Sequence, residues 1–221
     1  MKNALLFSLL LLMGMNLFSQ QGCAYSGQIT DQGVVFNSTG NSTIDQVTFD
    51  ELNFLFLKFG VKPRFYFLQE NGAPNAFATS NVSDPNYPDG TVYLGLNFIE
   101  LICSKSGSGT CSAVPVVMSH EFGHILQFKY FPGMRGSKKK ELFADFIAGF
   151  YLFCRIYEFK SMDVGEAARN TFEGGDTEFN SPFHHGTPEE RLSALDAGYR
   201  LASGGYSTID QLVGQAKLYV D

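Results

Sequence analysis

Apolar residues recur along this chain at two different periods, and the change of period predicts a short sheet region followed by a run of helices. Leu52, Leu55, Phe56 and Phe59 are spaced three and four apart. Thr48-Phe49-Asp50-Glu51 has the form of a capping box, so a helix is expected from Thr48 to Gly60, with Pro63 as its stop. Arg64 to Gln69, Asn75 to Thr79 and Thr91 to Leu94 are extended pieces, the first two separated by the turn residues Asn71-Gly72. A loop rich in Asp, Asn and Pro precedes the third, and Leu96 to Ile102 follows it as a short helix. Together they make a small sheet of antiparallel or mixed pairing, which either turns an edge toward a cleft or only walls the core. Residues 24–44 are polar apart from Val34 to Phe36, which reads as a strand and a loop.

Beyond residue 114 the period is helical. Val116, Val117, Ile125, Leu126 and Phe128 belong to the buried side of a helix over 114–131, with Pro115 in its first turn, ending before Pro132-Gly133. Ser137 is placed to cap the next helix, about 138–158, and its apolar content from Leu142 to Tyr157 marks it as nearly buried and central. Ala144, Ala148 and Gly149 allow another helix to approach it closely. Asp163 with Glu166 marks a further helix ending at Gly174-Gly175. Thr187-Pro188-Glu189-Glu190 opens another, and Ser207 is the expected cap of the last. The fold class expected is α+β, predominantly helical, in a single domain.

Composition narrows the setting. At 221 residues, with 44% hydrophobic and 17% charged positions, the chain has enough apolar material for one full core. A net charge of −6 argues against a nucleic-acid partner, and the run Lys138-Lys139-Lys140 reads as a solvated helix start. Lys2 followed by an apolar run from Ala4 to Phe18 matches a secretory signal over residues 1–21, leaving residues 22–221 as the domain. Neither that run nor any other is long enough to predict a membrane span. Gly22-Cys23 resembles the end of a lipoprotein box, although Gln20 stands where Leu is expected, so lipid anchoring at Cys23 is the minor reading. A secreted, periplasmic or cell-envelope location follows. The four cysteines fit it: Cys103 and Cys111 bracket a flexible loop that a disulfide would close, and Cys23 and Cys154 remain as a second pair.

The chemistry concentrates in His120-Glu121-Phe122-Gly123-His124. On a helix His120 and His124 lie one turn apart on one face, where both imidazoles reach a single metal ion, and Glu121 flanks it as a candidate general base. The plainer reading is a surface helix with two incidental histidines. A third histidine of the kind that completes an all-His site is absent, because Gln127 and Tyr130 occupy its places. A carboxylate from the following helix is the remaining option. Glu141 is the best placed, with Asp145 one turn on as the acceptor that orients a ligand imidazole. Otherwise Glu141 merely complements the helix dipole and Asp145 is solvated. That view explains poorly why both stand among Leu142, Phe143, Phe146 and Ile147.

With Glu141-Leu142-Phe143-Ala144-Asp145 following the His pair, the chain resembles the gluzincin clan of zinc metallopeptidases, whose third ligand is the Glu of an ExxxD helix. The stretch from Glu141 to Gly149, together with Gly175-Asp176 and residues 185–191, is most similar to bacterial neutral zinc metallopeptidases. Asn75-Ala76-Phe77-Ala78 is similar to the region ahead of the motif in the CAAX-protease and heat-shock membrane protease group, though this chain lacks that group's membrane helices. The resemblance covers most of residues 64–200. It implies a zincin-like fold, with a small sheet packed beside the HExxH and ExxxD helices. It also implies one Zn2+ per chain held by His120, His124 and Glu141, and a peptide or protein substrate. Asn75 to Ala78 would then be an edge strand that binds the substrate main chain. His185 and Arg191 become candidates for stabilising the oxyanion, against the simpler readings of a loop histidine and an arginine paired with a carboxylate. His184 has no motif support. The alternatives from other classes are a non-catalytic zinc-binding module and an envelope interaction protein.

Overall fold

Aromatic and β-branched runs dominate the first half of the chain and long helical stripes the second, and the architecture divides accordingly. The computed structural model describes residues 32–104, 113–159, 185–205 and 208–221. In chain order these contain β1 (Gly33–Phe36), α1 (Ser42–Phe59), β2 (Arg64–Glu70), β3 (Ala76–Thr79), β4 (Thr91–Gly95) and α2 (Leu96–Ser104). The helices α3 (Ala113–Tyr130), α4 (Ser137–Phe159), α5 (Pro188–Ser203) and α6 (Ile209–Val220) complete them. The class is mixed α+β and mostly helical, as expected. The helix marked by Asp163 and Glu166 lies outside the described residues, as do residues 1–31 with Cys23. No described helix is long and apolar enough to cross a membrane.

The strands form one sheet in the order β1-β2-β4-β3. β1 runs antiparallel to β2, β2 parallel to β4, and β4 antiparallel to β3. The Asn71-Gly72 turn therefore joins two strands that are not neighbours, because β4 inserts between them. Burial explains why β4 takes the centre: Val92, Tyr93 and Leu94 are each at most 2% exposed, so both faces of that strand need cover. Phe65, Phe67, Ala76, Ala78, Val92 and Leu94 point into the main core with residues of α1, α2 and α3. Leu68, Phe77 and Tyr93 form a separate cluster, in which Tyr93 stacks on both Phe77 and Tyr66.

Glu70, at the end of β2, holds this region to α2. Its Oε2 accepts from the backbone N–H of Asn97 and its Oε1 from those of Phe98 and Asn75. A strand carboxylate thereby satisfies the orphan donors in the first turn of α2 and adds a favourable charge there. Gly95 makes room for it, since a Cβ at that position would stand 1.8 Å from Glu70 Oε1.

Two helix starts differ from the sequence expectation. α1 begins at Ser42, with Asn41 as its cap accepting from Thr43 and Ile44 N–H, and not at Thr48. Thr48 and Glu51 are buried inside the helix, where Glu51 accepts from Tyr151 Oη and Arg155 Nε on α4. The pattern that imitates a capping box is the face that docks on α4. α6 is capped by Thr208, whose hydroxyl accepts from Gln211 N–H. Ser207, the expected cap, lies outside the described residues.

α4 is the central helix. α5 crosses it at two glycines: a Cβ on Gly149 would lie 1.8 Å from Leu195 O, and one on Gly198 would lie 1.8 Å from Phe146 O. Cys154 lies on α4, and its candidate partner Cys23 lies outside the described residues. Cys103 is disulfide-bonded, and Cys111 lies outside the described residues.

Candidate metal centre

The His pair is carried by the most buried of the described helices. Every residue of α3 from Ala113 to Gln127 is buried, so its polar side chains are satisfied inside the protein or by something bound there. His120 and His124 stand one turn apart with their rings perpendicular and their centroids 4.8 Å apart. Gly123, between them, sets the distance to α4. A Cβ there would lie 2.7 Å from Ala144 Cα and 2.9 Å from Ala144 O. The bare backbone lets α4 settle against α3, and Glu141 and Asp145, the residues three before and one after Ala144, face the imidazoles.

Glu141 Oε2 lies 3.4 Å from His120 Nε2, and Glu141 Oε1 lies 3.5 Å from His124 Nε2. Two ligands bound tetrahedrally at ~2.0–2.1 Å from one ion stand about 3.3–3.4 Å apart. The two carboxylate-to-imidazole separations therefore leave room for an ion between the groups. One ligand atom from each of His120, His124 and Glu141 lies within 4.8 Å of the others, and all three residues are buried. Neither ring nitrogen of His124 has a hydrogen-bond partner among the described residues, at 0% exposure. A ring so placed is expensive unless a metal takes its lone pair. The donor set and its geometry could hold a metal ion.

A layer of charge behind the ligands fixes them. His120 Nδ1 lies 2.8 Å from Asp145 Oδ1, so the carboxylate faces that nitrogen and Nε2 is left toward the metal side. Asp145 is itself gripped by Arg191 on α5: Nε donates to Oδ2 at 2.8 Å and Nη2 to Oδ1 at 2.9 Å. The same guanidinium reaches within 3.7 Å of Glu141 Oε2. Of the two roles open to Arg191 in the sequence, the structure places it in the carboxylate pair. The signal was present, because Arg191 stands in helical register with the buried Ala194, Leu195, Gly198 and Ala202. An arginine in an apolar stripe requires a buried partner.

These surroundings set the protonation states. Burial pushes His124 down to about 3, so its imidazole is neutral and available as a ligand at any pH near neutrality. Burial alone would raise the Glu141 carboxyl, but the imidazoles around it, His124 first and then His120 and His185, hold it well below the usual range. A neutral imidazole, as at His124, and an ionised carboxylate, as at Glu141, are the forms that bind metal.

Glu121 is 1% exposed and adjoins His120 on α3. His185 Nδ1 lies 3.7 Å from Glu141 Oε1, beside the third ligand. It is delivered there by the start of α5, where Thr187 and Glu190 close a reciprocal capping box and Gly186 turns the chain with φ +94°. His184 lies outside the described residues. Asn75 to Ala78 fall at the sheet's edge among the described strands, since β3 is terminal in their order, and all four residues are buried. Compared with protein-family profiles, curated proteins and solved structures, the chain matches none.

Proposed function

We propose that this chain is a zinc-dependent endopeptidase in which His120, His124 and Glu141 hold the ion. The observation that carries the reading is the pairing of the His120, His124 and Glu141 triad with an ionisable neighbour, Glu121, on the same helix. Two imidazoles and one carboxylate are the donor set of a site that keeps a position open for reaction. When bound, the ion would supply Lewis-acid polarisation of a peptide carbonyl and make water more acidic. Glu121 takes the proton of the attacking water and passes it to the leaving amine as the C–N bond breaks. His185 donates a hydrogen bond to the oxyanion that develops on the carbonyl. Asp145 and Arg191 keep His120 in the tautomer that leaves Nε2 unprotonated. The Asn75 to Ala78 strand offers its edge to the substrate main chain, the usual geometry of strand addition.

A non-catalytic zinc module on the same scaffold is favoured by one observation, the burial of His120, His124 and Glu141 at 3%, 0% and 1% exposure. The two readings separate on Glu121→Gln. For a peptidase, the variant keeps stoichiometric zinc by mass spectrometry and loses cleavage of a denatured protein mixture by ~10²–10⁴-fold. Wild-type protein that holds zinc but cleaves nothing in that mixture supports the module, and protein that binds no zinc removes both.

A further inference from the structure

A cavity of about 480 Å3 opens between the α3–α4 connection and the end of α6, lined by Phe131, Met134, Arg135, Lys139, Lys217 and Asp221 among others, none of them a metal-site residue. The volume is that of a small-molecule site. Its lining combines an apolar surface with three cationic side chains and one acidic side chain, Asp221. In a chain whose formal charge is −6, this is a local excess of positive charge.

Asp221 demonstrates the chemistry those cations accept. Lys217 Nζ donates to both of its carboxylate oxygens, and Lys139 Nζ stands 3.5 Å from Oδ1. Lys217 also lies over the Phe131 ring, 5.9 Å from its centroid, which links the charged and apolar parts of the lining. The Asp221 side chain is 50% exposed, so rotation about its own bonds returns it to water at little cost. Arg135 makes no ion pair with any described residue, and its planar fork matches a carboxylate through two parallel N–H···O bonds.

We propose that this cavity binds an apolar carboxylate. The head group sits on Arg135, Lys139 and Lys217 in place of Asp221, and the hydrocarbon lies against Phe131, Met134 and Val220. A fatty acid and the apolar C-terminal residue of a peptide share that chemistry. The inference is independent of the metal site, and metal-free and zinc-loaded protein are expected to bind alike.

Calorimetric titration of the full chain at fixed ionic strength, with decanoate in one arm and N-acetyl-leucine in the other, tests it. Saturable 1:1 binding is expected in at least one arm, and the arm that saturates identifies the source of the carboxylate. Decanol and N-acetyl-leucine amide, which lack the charge, should not saturate. Arg135→Gln should weaken binding about tenfold through loss of a charge-assisted pair. Asp221→Asn should tighten it about threefold by removing the tethered competitor. Both side chains are on the surface, and unchanged melting temperatures confirm the fold of each variant. Absence of saturation in both arms overturns the proposal. So does uncharged analogue binding as tight as that of the acid, or an affinity indifferent to both substitutions.

Discussion

Gly123 packs directly on Ala144: an added Cβ would meet Ala144 Cα at 2.7 Å, and that contact fixes how far the two histidines stand from Glu141. The neighbour is helix backbone, which cannot swing aside as a side chain does. Gly123→Ala is therefore expected to destabilise the protein by about 1–3 kcal/mol through overpacking. By prising α4 from α3 it should also weaken metal binding. Urea unfolding and competition with a chromophoric chelator measure the two effects. A variant with native stability and native zinc affinity would show that the helices are spaced by something else.

Asp145 has two partners, and a pair of variants separates their contributions. Asp145→Asn is expected to cost 10–100-fold in metal affinity, because the charged carboxylate beside His120 Nδ1 becomes a neutral amide that no longer fixes the ring's tautomer. It also leaves Arg191 buried without its carboxylate, a loss of about 3–5 kcal/mol. The double variant Asp145→Asn with Arg191→Met should regain part of the stability and none of the affinity.

Acid is expected to unfold the metal-free protein early. His124, held at about 3 in the folded state against an ordinary 6.5, stays neutral while the unfolded chain takes up a proton. Stability then falls as the pH drops from about 6.5 toward 3, at up to ~1.4 kcal/mol per pH unit. Glu141 acts in the same direction: its lowered carboxyl contributes stability above the ordinary 4.5, which is lost as the pH falls through its depressed folded value. Urea midpoints of chelator-treated protein between pH 7 and pH 4 should shift steadily downward, and a flat series would contradict the burial of a neutral imidazole.

Glu70→Ala should free the first turn of α2 and the Asn75 N–H together. Three backbone donors lose a charged acceptor, so a loss of about 2–4 kcal/mol is expected in urea unfolding. Gly95→Ala should be comparably damaging, because its methyl group enters the space of the Glu70 carboxylate. The double substitution should cost less than the sum of the two.

The elements that carry the site were legible because their signals are local. α3 and α4 follow from apolar stripes bounded by Pro132-Gly133 and Ser137, and the start of α5 follows from a capping box that the structure retains. The His120, His124 and Glu141 cluster was legible for the same reason, since spacing along helices decides which side chains share a face. What escaped depends on tertiary partners. Thr48 to Glu51 has the letters of a cap, but Asn41 starts α1, and Glu51 is committed to Tyr151 and Arg155 a hundred residues away. The place of β4 between β2 and β3 is equally invisible locally, because strand neighbours are chosen by how much each face has to bury. Gly123 stood in view within the motif, yet its function as a spacer belongs to Ala144 as much as to itself.

The buried chain of contacts from His120 through Asp145 to Arg191 spans three helices and leaves the ligands dependent on the last to be synthesised. A ribosome that has released residues as far as Asp145 has already delivered both imidazoles and the carboxylate, but not the guanidinium that neutralises the second carboxylate. Metal captured at that stage would be held by side chains still free to rearrange. On the proposed reading, final affinity would be acquired only when α5 docks, so in a nascent protein the strength of the metal site would record the completion of helix assembly.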